Sequence, residues 1–300
     1  MELWVVFTIA AAATQALRTA VQRRMTTTIG NLGASYIRFS YAFPIAWLFL
    51  FLYSEHAGTA LPNLPAKFWI WINLAALTQV IFTILLVQLF SHRSFAAAVA
   101  FSKTEVLQTA IFEALILGVV VTLQTGVAIA LGVFATVLLS FAKANLAFAN
   151  LRGAIFSRQV AIGLAAGAFL GFCTVCYGAA LHTMIGGDVI GNAMYAAAIG
   201  TTIQAICFGI YIFIVRREQF IASFVAWRQC SMAGIWAATT SICWFAGFAL
   251  YSVAPVRAVG QIELLFSVGF SVLYFNERIS RVEFTAIAML ATSIIMVLLD

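Results

Sequence analysis

Residues 189–214 read VIGNAMYAAAIGTTIQAICFGIYIFI, an apolar run without one charged side chain. About 20 such residues make a helix long enough to cross the hydrocarbon layer of a bilayer. In lipid, every backbone N–H and C=O must be satisfied within the protein, which leaves helices or a closed barrel. Barrel strands alternate polar and apolar residues with a period of two, and this run does not. It reads as a membrane helix.

Working outward from it, ten such spans are predicted: 3–21, 31–53, 67–90, 94–118, 123–142, 159–181, 189–214, 230–251, 254–275 and 282–299. The composition agrees. Hydrophobic residues make up 64% of the chain and charged residues 9%, against roughly 25% charged in an ordinary soluble domain. A soluble globule of this size could not hide that much apolar surface. The N-terminal stretch ends in Ala11-Ala12-Ala13 like a signal peptide, but it lacks a basic leader and carries only Glu2. It is kept as the first span. Very tight turns are expected at Ser91 to Ser94 and Ser252 to Pro255. The longest loops are 54–66, 143–158 and 215–229.

The chain reads as doubled. A shift of 158 residues lays span 4 on span 9 and span 5 on span 10, and sets Glu105 on Glu263 and Lys103 on Gln261. Shared apolar residues are cheap in such a composition, whereas matched glutamates are not. A weaker echo sets Ile29-Gly30-Asn31 against Ile190-Gly191-Asn192. Each repeat holds five spans, an odd number, so the halves face opposite ways across the membrane. The predicted fold class is therefore an all-α membrane protein of ten transmembrane helices in two inverted five-helix repeats, an arrangement common in secondary transporters. The first repeat is 1–142, a connector follows at 143–158, and the second repeat is 159–300.

The net charge of +6 does not form a basic stripe with interleaved aromatics, so nucleic acid is rejected as a partner. The basic residues cluster instead in the loops after odd-numbered spans, among them Arg23, Arg24, Arg93, Arg216, Arg217 and Arg228, while the loops after even spans hold only Lys67. The positive-inside rule then puts the odd loops in the cytoplasm and both termini outside. Cys173 and Cys176 have redox or metal spacing, but their Phe, Gly, Ala and Tyr neighbours favour small packing residues in a helix.

Spans 9 and 10 carry Asn276-Glu277-Arg278-Ile279-Ser280, which resembles the Gly-Glu-Arg-Leu-Ser/Thr tail of EamA-type members of the drug/metabolite transporter superfamily. Glu263-Leu264 and Glu105-Val106 stand where that family often has Glu-Pro, and Arg38-Phe39 in span 2 is also similar. Two departures stand out. The first repeat ends in Gly118-Val119-Val120-Val121-Thr122 without a Glu-Arg, and Ser54-Glu55-His56 replaces the basic residues of many relatives between spans 2 and 3. Those relatives have their termini inside, so resemblance and charge rule give opposite orientations. The resemblance implies a multi-pass transporter of the cell inner membrane, and it leaves the substrate open.

Ionisable groups within spans cost at least about 2.5–3.5 kcal/mol, so each needs a partner, water or a task. The candidates for a substrate- or proton-binding site are Glu105, Glu263, Lys103, Arg257, Gln261, Arg38 and Gln108. On unbroken helices, Glu105, Gln108, Thr109 and Phe112 share one face, and Arg257 and Gln261 another. Glu105 and Glu263 are expected to approach the pseudo-two-fold axis near the midplane. One of them would bind a substrate amine or carry a coupling proton or cation. Arg257, Lys103 or Arg38 would bind a carboxylate or other anion. Gln15, Tyr36, Gln79, Tyr177, Asn192, Tyr195, Gln204 and Trp244 could complete the wall. The competing reading is a set of buried ion pairs that fix helix packing. Glu113 reads as interfacial, and Gly163-x-x-x-Gly167 as a small-residue packing surface or a weak dimer motif.

The expected function is secondary transport of a small polar or amphipathic metabolite, such as an amino acid or similar zwitterion, as exporter or exchanger. The alternatives are efflux of hydrophobic cations and, less favoured, a membrane-embedded enzyme. His56, His92 and His182 are not clustered, and no Gly-x-Ser-x-Gly, His-Glu-x-x-His or nucleotide-binding Gly-x-x-x-x-Gly-Lys occurs. No catalytic residue, metal or cofactor is therefore expected. The expected partners are a small-molecule substrate and membrane lipid, with the protein a monomer or dimer.

Overall fold

The computed structural model describes residues 2–58, 62–89, 102–143, 158–275 and 280–300. They are helical throughout, with no strand among them beyond one isolated bridge between Asn63 and Ile185. The helices are α1 (Leu3–Ser40), α2 (Ala42–Ala57), α3 (Ala66–Leu89), α4 (Glu105–Leu117), α5 (Leu123–Lys143), α6 (Arg158–Thr183), α7 (Val189–Val215), α8 (Arg217–Val225), α9 (Trp227–Leu250), α10 (Val253–Gly260), α11 (Ile262–Phe275) and α12 (Arg281–Leu298). Seven of the helical stretches are long and apolar enough to cross a membrane. The tight turn at Ser91 to Ser94 and the Glu277-Arg278 pair lie outside the described residues.

Two predicted loops are instead helical. Residues 22–29 continue the first span, and α1 is broken only at Gly30 (φ 74°, ψ 171°), a region of backbone space open to glycine alone. Residues 217–225, read as loop, form the short helix α8. The chain reverses at Gly30, as its packing on α9 shows. Before the break, Trp4 stacks on Tyr251, Thr14 meets Thr240, and Met25 clusters with Cys230, so the two helices run antiparallel. After it, Gly234 abuts Tyr41, and Ala42, Ala46 and Leu50 cluster with Ala237 and Ala238, so the order is parallel. Small residues allow this close approach.

The chain divides into two compact units, and neither is a sequence half. One comprises Met1–Val80 with Cys173–Ser252, the other Ile81–Phe172 with Val253–Asp300. Each unit joins an earlier and a later segment of the chain.

In the first unit two helix starts are capped alike. The N–H groups of Leu32 and Gly33, just past the Gly30 break, both donate to Gln219 Oε1 of α8 at 3.1 Å. Those of Ile190 and Gly191, in the first turn of α7, both donate to Asp188 Oδ1 at 3.0 Å. These amides are 158 residues apart, and the free N–H groups of a helix start must find acceptors somewhere. Tyr53 also donates to Asp188 Oδ1, at 2.8 Å, and ties the end of α2 to this turn.

In the second unit α5 and α12 pack through small residues. Ser293 Oγ donates to the Ala128 carbonyl at 2.7 Å, and a Cβ at Gly132 would stand 2.5 Å from Ser293 Oγ. Ser280 and Glu283 form a reciprocal capping box that starts α12.

Candidate functional site

Two of the predicted spans do not run through. In span 9 the helix stops at Gly260, Gln261 forms a turn, and α11 begins at Ile262. In span 4 Ser102 is helical, Lys103 and Thr104 form a turn, and α4 begins at Glu105. Lys103 and Gln261 are the residues that the 158-residue shift superposes. In each case the helix after the break carries a glutamate in its first turn, Glu105 or Glu263. The face Glu105, Gln108, Thr109 and Phe112 lies within α4 and holds, whereas the face drawn through Arg257 and Gln261 ends at the break, because Gln261 is no longer helical.

The break in span 4 is seated on glycines of α6. A Cβ at Gly167 would lie 2.9 Å from the Ser102 carbonyl oxygen, and one at Gly171 would lie 3.1 Å from both the Glu105 carbonyl oxygen and Thr109 N. The Gly-x-x-x-Gly signal here thus serves packing within the fold through Gly167 and Gly171. The sequence offered that signal, because the glycine spacing of four continues from Gly163 to Gly171.

Glu105 forms an ion pair with Arg257 of α10. Glu105 is 4% exposed and the Arg257 side chain 12%, so solvent hardly screens the pair. The partner that the structure gives Glu105 is thus Arg257. Only Oε1 of the carboxylate is engaged. Oε2 is buried without a hydrogen-bond partner among the described residues. At the other break, Gln261 Oε1 accepts from Thr136 Oγ1 of α5 at 2.5 Å, while its Nε2 is buried with no acceptor among those residues. A buried polar atom left unmet costs about 1–3 kcal/mol. The two breaks thus offer one carboxylate acceptor and one amide donor with bonding capacity to spare. Gln108 Nε2 donates to Thr104 Oγ1 at 3.0 Å and braces the break. Lys103 and Glu263 stand at the breaks, half-buried.

Glu113 corrects the interfacial reading. It is 1% exposed, and its two carboxylate oxygens accept from the N–H groups of Val253 (2.6 Å) and Ala254 (2.7 Å) at the start of α10. The carboxylate caps that helix from α4 and offsets its positive end. Nothing in the sequence marks this contact, which joins residues 140 apart in the chain.

The remaining candidates lie in the first unit. Gln204 Nε2 donates to the Tyr177 hydroxyl oxygen and to Gln79 Oε1, and Cys173 Sγ donates to Gln79 Oε1 at 3.6 Å. Trp244 Nε1 donates to Gln15 Oε1 at 3.0 Å. Arg38 lies over the Phe39 ring, 4.7 Å from its centroid. Three other wall candidates serve packing or turns. Asn192 donates to the Gly186 carbonyl, Tyr195 packs edge-on against Trp47, and Tyr36 sits among Phe208, Phe220 and Phe224. Among the described residues no three His, Cys, Asp or Glu side chains gather as a metal site.

No protein-family model matches the sequence, and no curated protein does. The fold is similar to that of a solved crystal structure, with a TM-score of 0.71 over 98% of each chain at 13% identity. That likeness speaks for the fold alone.

Proposed function

We propose that this protein is a secondary transporter of a small polar metabolite in the cell inner membrane. In this reading it is an EamA-type member of the drug/metabolite transporter superfamily, with ten spans in two inverted five-helix repeats that work by alternating access. The observation that carries the reading is the pair of helix interruptions at Lys103-Thr104 and Gln261, at equivalent places in the two halves. Interrupted backbone at membrane depth is tolerated where protein or a water-filled cavity surrounds it, and transporters place their substrate and coupling-ion sites at such breaks. The matched caps at Leu32-Gly33 and Ile190-Gly191 support the same doubling.

The Glu105–Arg257 pair supplies the chemistry. A zwitterion carries both charge signs and can replace each partner for the other, so its binding opens the pair without stranding a buried charge. Glu105 Oε2 and Gln261 Nε2 give it further hydrogen bonds. A coupling proton on Glu105 or Glu263 would release the cation beside it by removing the carboxylate charge.

Counterflow in proteoliposomes with a panel of labelled amino acids, organic acids and lipophilic cations tests this. Wild-type protein should exchange a polar metabolite, with losses of at least about tenfold in Glu105→Gln and Glu263→Gln. Equal counterflow by all three proteins contradicts the site. Cation counterflow that survives Arg257→Gln would favour the efflux alternative.

A further inference from the structure

Between α7 and α9, two helices of membrane-spanning length, lies α8, nine residues long and far too short to cross. One side of α8 is fixed to the first unit. Gln219 caps the Gly30 turn through Leu32 and Gly33, Phe220 packs on the Tyr36 ring with 5.5 Å between centroids, and the Ser223 carbonyl accepts from the Tyr41 hydroxyl at 2.9 Å. The other side carries Arg217, Ile221 and Phe224 at i, i+4 and i+7, with Val225 beside them, and all four are exposed. Trp227 follows, 56% exposed. A short helix that joins two spans and turns an apolar face outward suits the boundary between headgroups and acyl chains.

Arginines gather at this end of the unit. Arg216 and Arg217 stand at the start of α8, and Arg228 follows it. Arg23 and Arg24 join them, because Met25 clusters with Cys230 while Ala222 and Ala226 pack on the same cluster. All five arginines are exposed, and within the described residues none forms an ion pair. The Arg217 guanidinium lies 5.2 Å from the Phe213 ring centroid and that of Arg228 lies 5.5 Å from the Trp227 ring centroid, which seats each charge at the edge of the apolar face. Glu218 is the one acidic residue beside them. The other acidic residues of the unit stand at the far ends of the same helices. Glu2 precedes α1 where Trp4 stacks on Tyr251, and Asp188 starts α7 and holds Tyr53, two residues before Glu55.

We infer that α8 and the arginines around it form a docking surface for anionic phospholipid. Ile221, Phe224, Val225 and Trp227 enter below the headgroups, and the guanidiniums take phosphate oxygens two at a time. Charge complementarity selects this occupant. A zwitterionic lipid brings a cation of its own to a surface that already holds five, and a soluble anion leaves the apolar face bare. Only a lipid of net negative charge meets both. Gln219, on the inner side of the same helix, caps the turn at which α1 reverses, so lipid bound on the outer side steadies that turn. The inference needs the protein to lie in a membrane and does not depend on transport.

The test is fluorescence quenching in phosphatidylcholine vesicles that hold the full-length protein and either brominated phosphatidylglycerol or brominated phosphatidylcholine. The Trp227 signal is the difference between wild type and Trp227→Phe. Brominated phosphatidylglycerol should quench it at a mole fraction on the order of tenfold lower, since each arginine near an anionic surface contributes about fivefold. The preference should shrink at about 1 M salt. Combining Arg216→Gln, Arg217→Gln and Arg228→Gln should remove at least about fivefold of it. Lysine at the same three positions should keep most of it, which a failure to fold would not do. Equal quenching by the two lipids in wild type, or an unchanged preference in the triple glutamine variant, overturns the surface. Absence of quenching by either lipid puts Trp227 under protein, as between two copies of the chain, and overturns it as well. A protein that shows the preference without counterflow loses the transport reading alone.

Discussion

The carboxylate of Glu113 gives the sharpest prediction, because both its oxygens accept from the backbone of one helix start, Val253 at 2.6 Å and Ala254 at 2.7 Å, in a buried place. Glu113→Leu keeps the volume and removes both acceptors. Two buried N–H groups are then unmet, at about 1–3 kcal/mol each, so the loss should be about 2–6 kcal/mol. Glu113→Gln keeps one acceptor oxygen and should lose about half as much. The assay is reversible unfolding in mixed detergent and dodecyl sulfate micelles, followed by circular dichroism, with hydrogen exchange at Val253 and Ala254 as a local readout. Those two amides should exchange faster in the Leu variant. Arg257 follows Ala254 by one helical turn, so loosening α10 should also weaken the ion pair with Glu105. A Leu variant within about 0.5 kcal/mol of wild type, the range of an inert surface change, and with unaltered exchange would refute the capping role.

Other outcomes follow from the same geometry. Gly30→Ala should cost roughly 1–3 kcal/mol in that unfolding assay, because φ 74° with ψ 171° suits glycine alone and a Cβ would meet Gln219 Cδ at 2.5 Å. For the ion pair, Glu105→Met should destabilise by about 3–5 kcal/mol through the stranded guanidinium, and adding Arg257→Met should recover much of that. If the recovered double variant still performs counterflow, the pair is structural only. At the end of the chain, Asp300 accepts from Thr122 and from Thr125 Oγ1, the latter at 2.6 Å. These bonds hold its carboxyl below the usual carboxylate value, so their contribution is present above the ordinary aspartate range and is lost as pH falls beneath it. Carboxyl-labelled aspartate should show this by NMR, since Asp188 and Asp300 are the only two aspartates. Thr122→Val with Thr125→Val should raise the Asp300 titration toward its ordinary value.

Much of the fold was legible because lipid makes the rule simple. An apolar run of sufficient length must be a helix, and so the boundaries of α3, α5, α6, α7 and α12 fall within a residue or two of those read from the sequence. The 158-residue shift also set Lys103 against Gln261, which a self-comparison can do without knowing where either side chain points. What it could not show was that both mark interruptions. Neither break has a proline to announce it, and the glycines that seat the span 4 break come from α6, more than fifty residues away in the chain.

The sequence by itself determined that the chain is helical, where five of its apolar helices begin and end, and which few ionisable residues stand within the spans, since these depend on local composition and on the cost of moving charge out of water. Only the tertiary structure decided who meets whom. Pairing Glu105 with Arg257, using Glu113 as a cap, and leaving Arg38 on an aromatic ring are choices between similar charges, made by which helices pack side by side. Helix packing depends on small residues far apart in sequence, and no local pattern encodes the resulting neighbours.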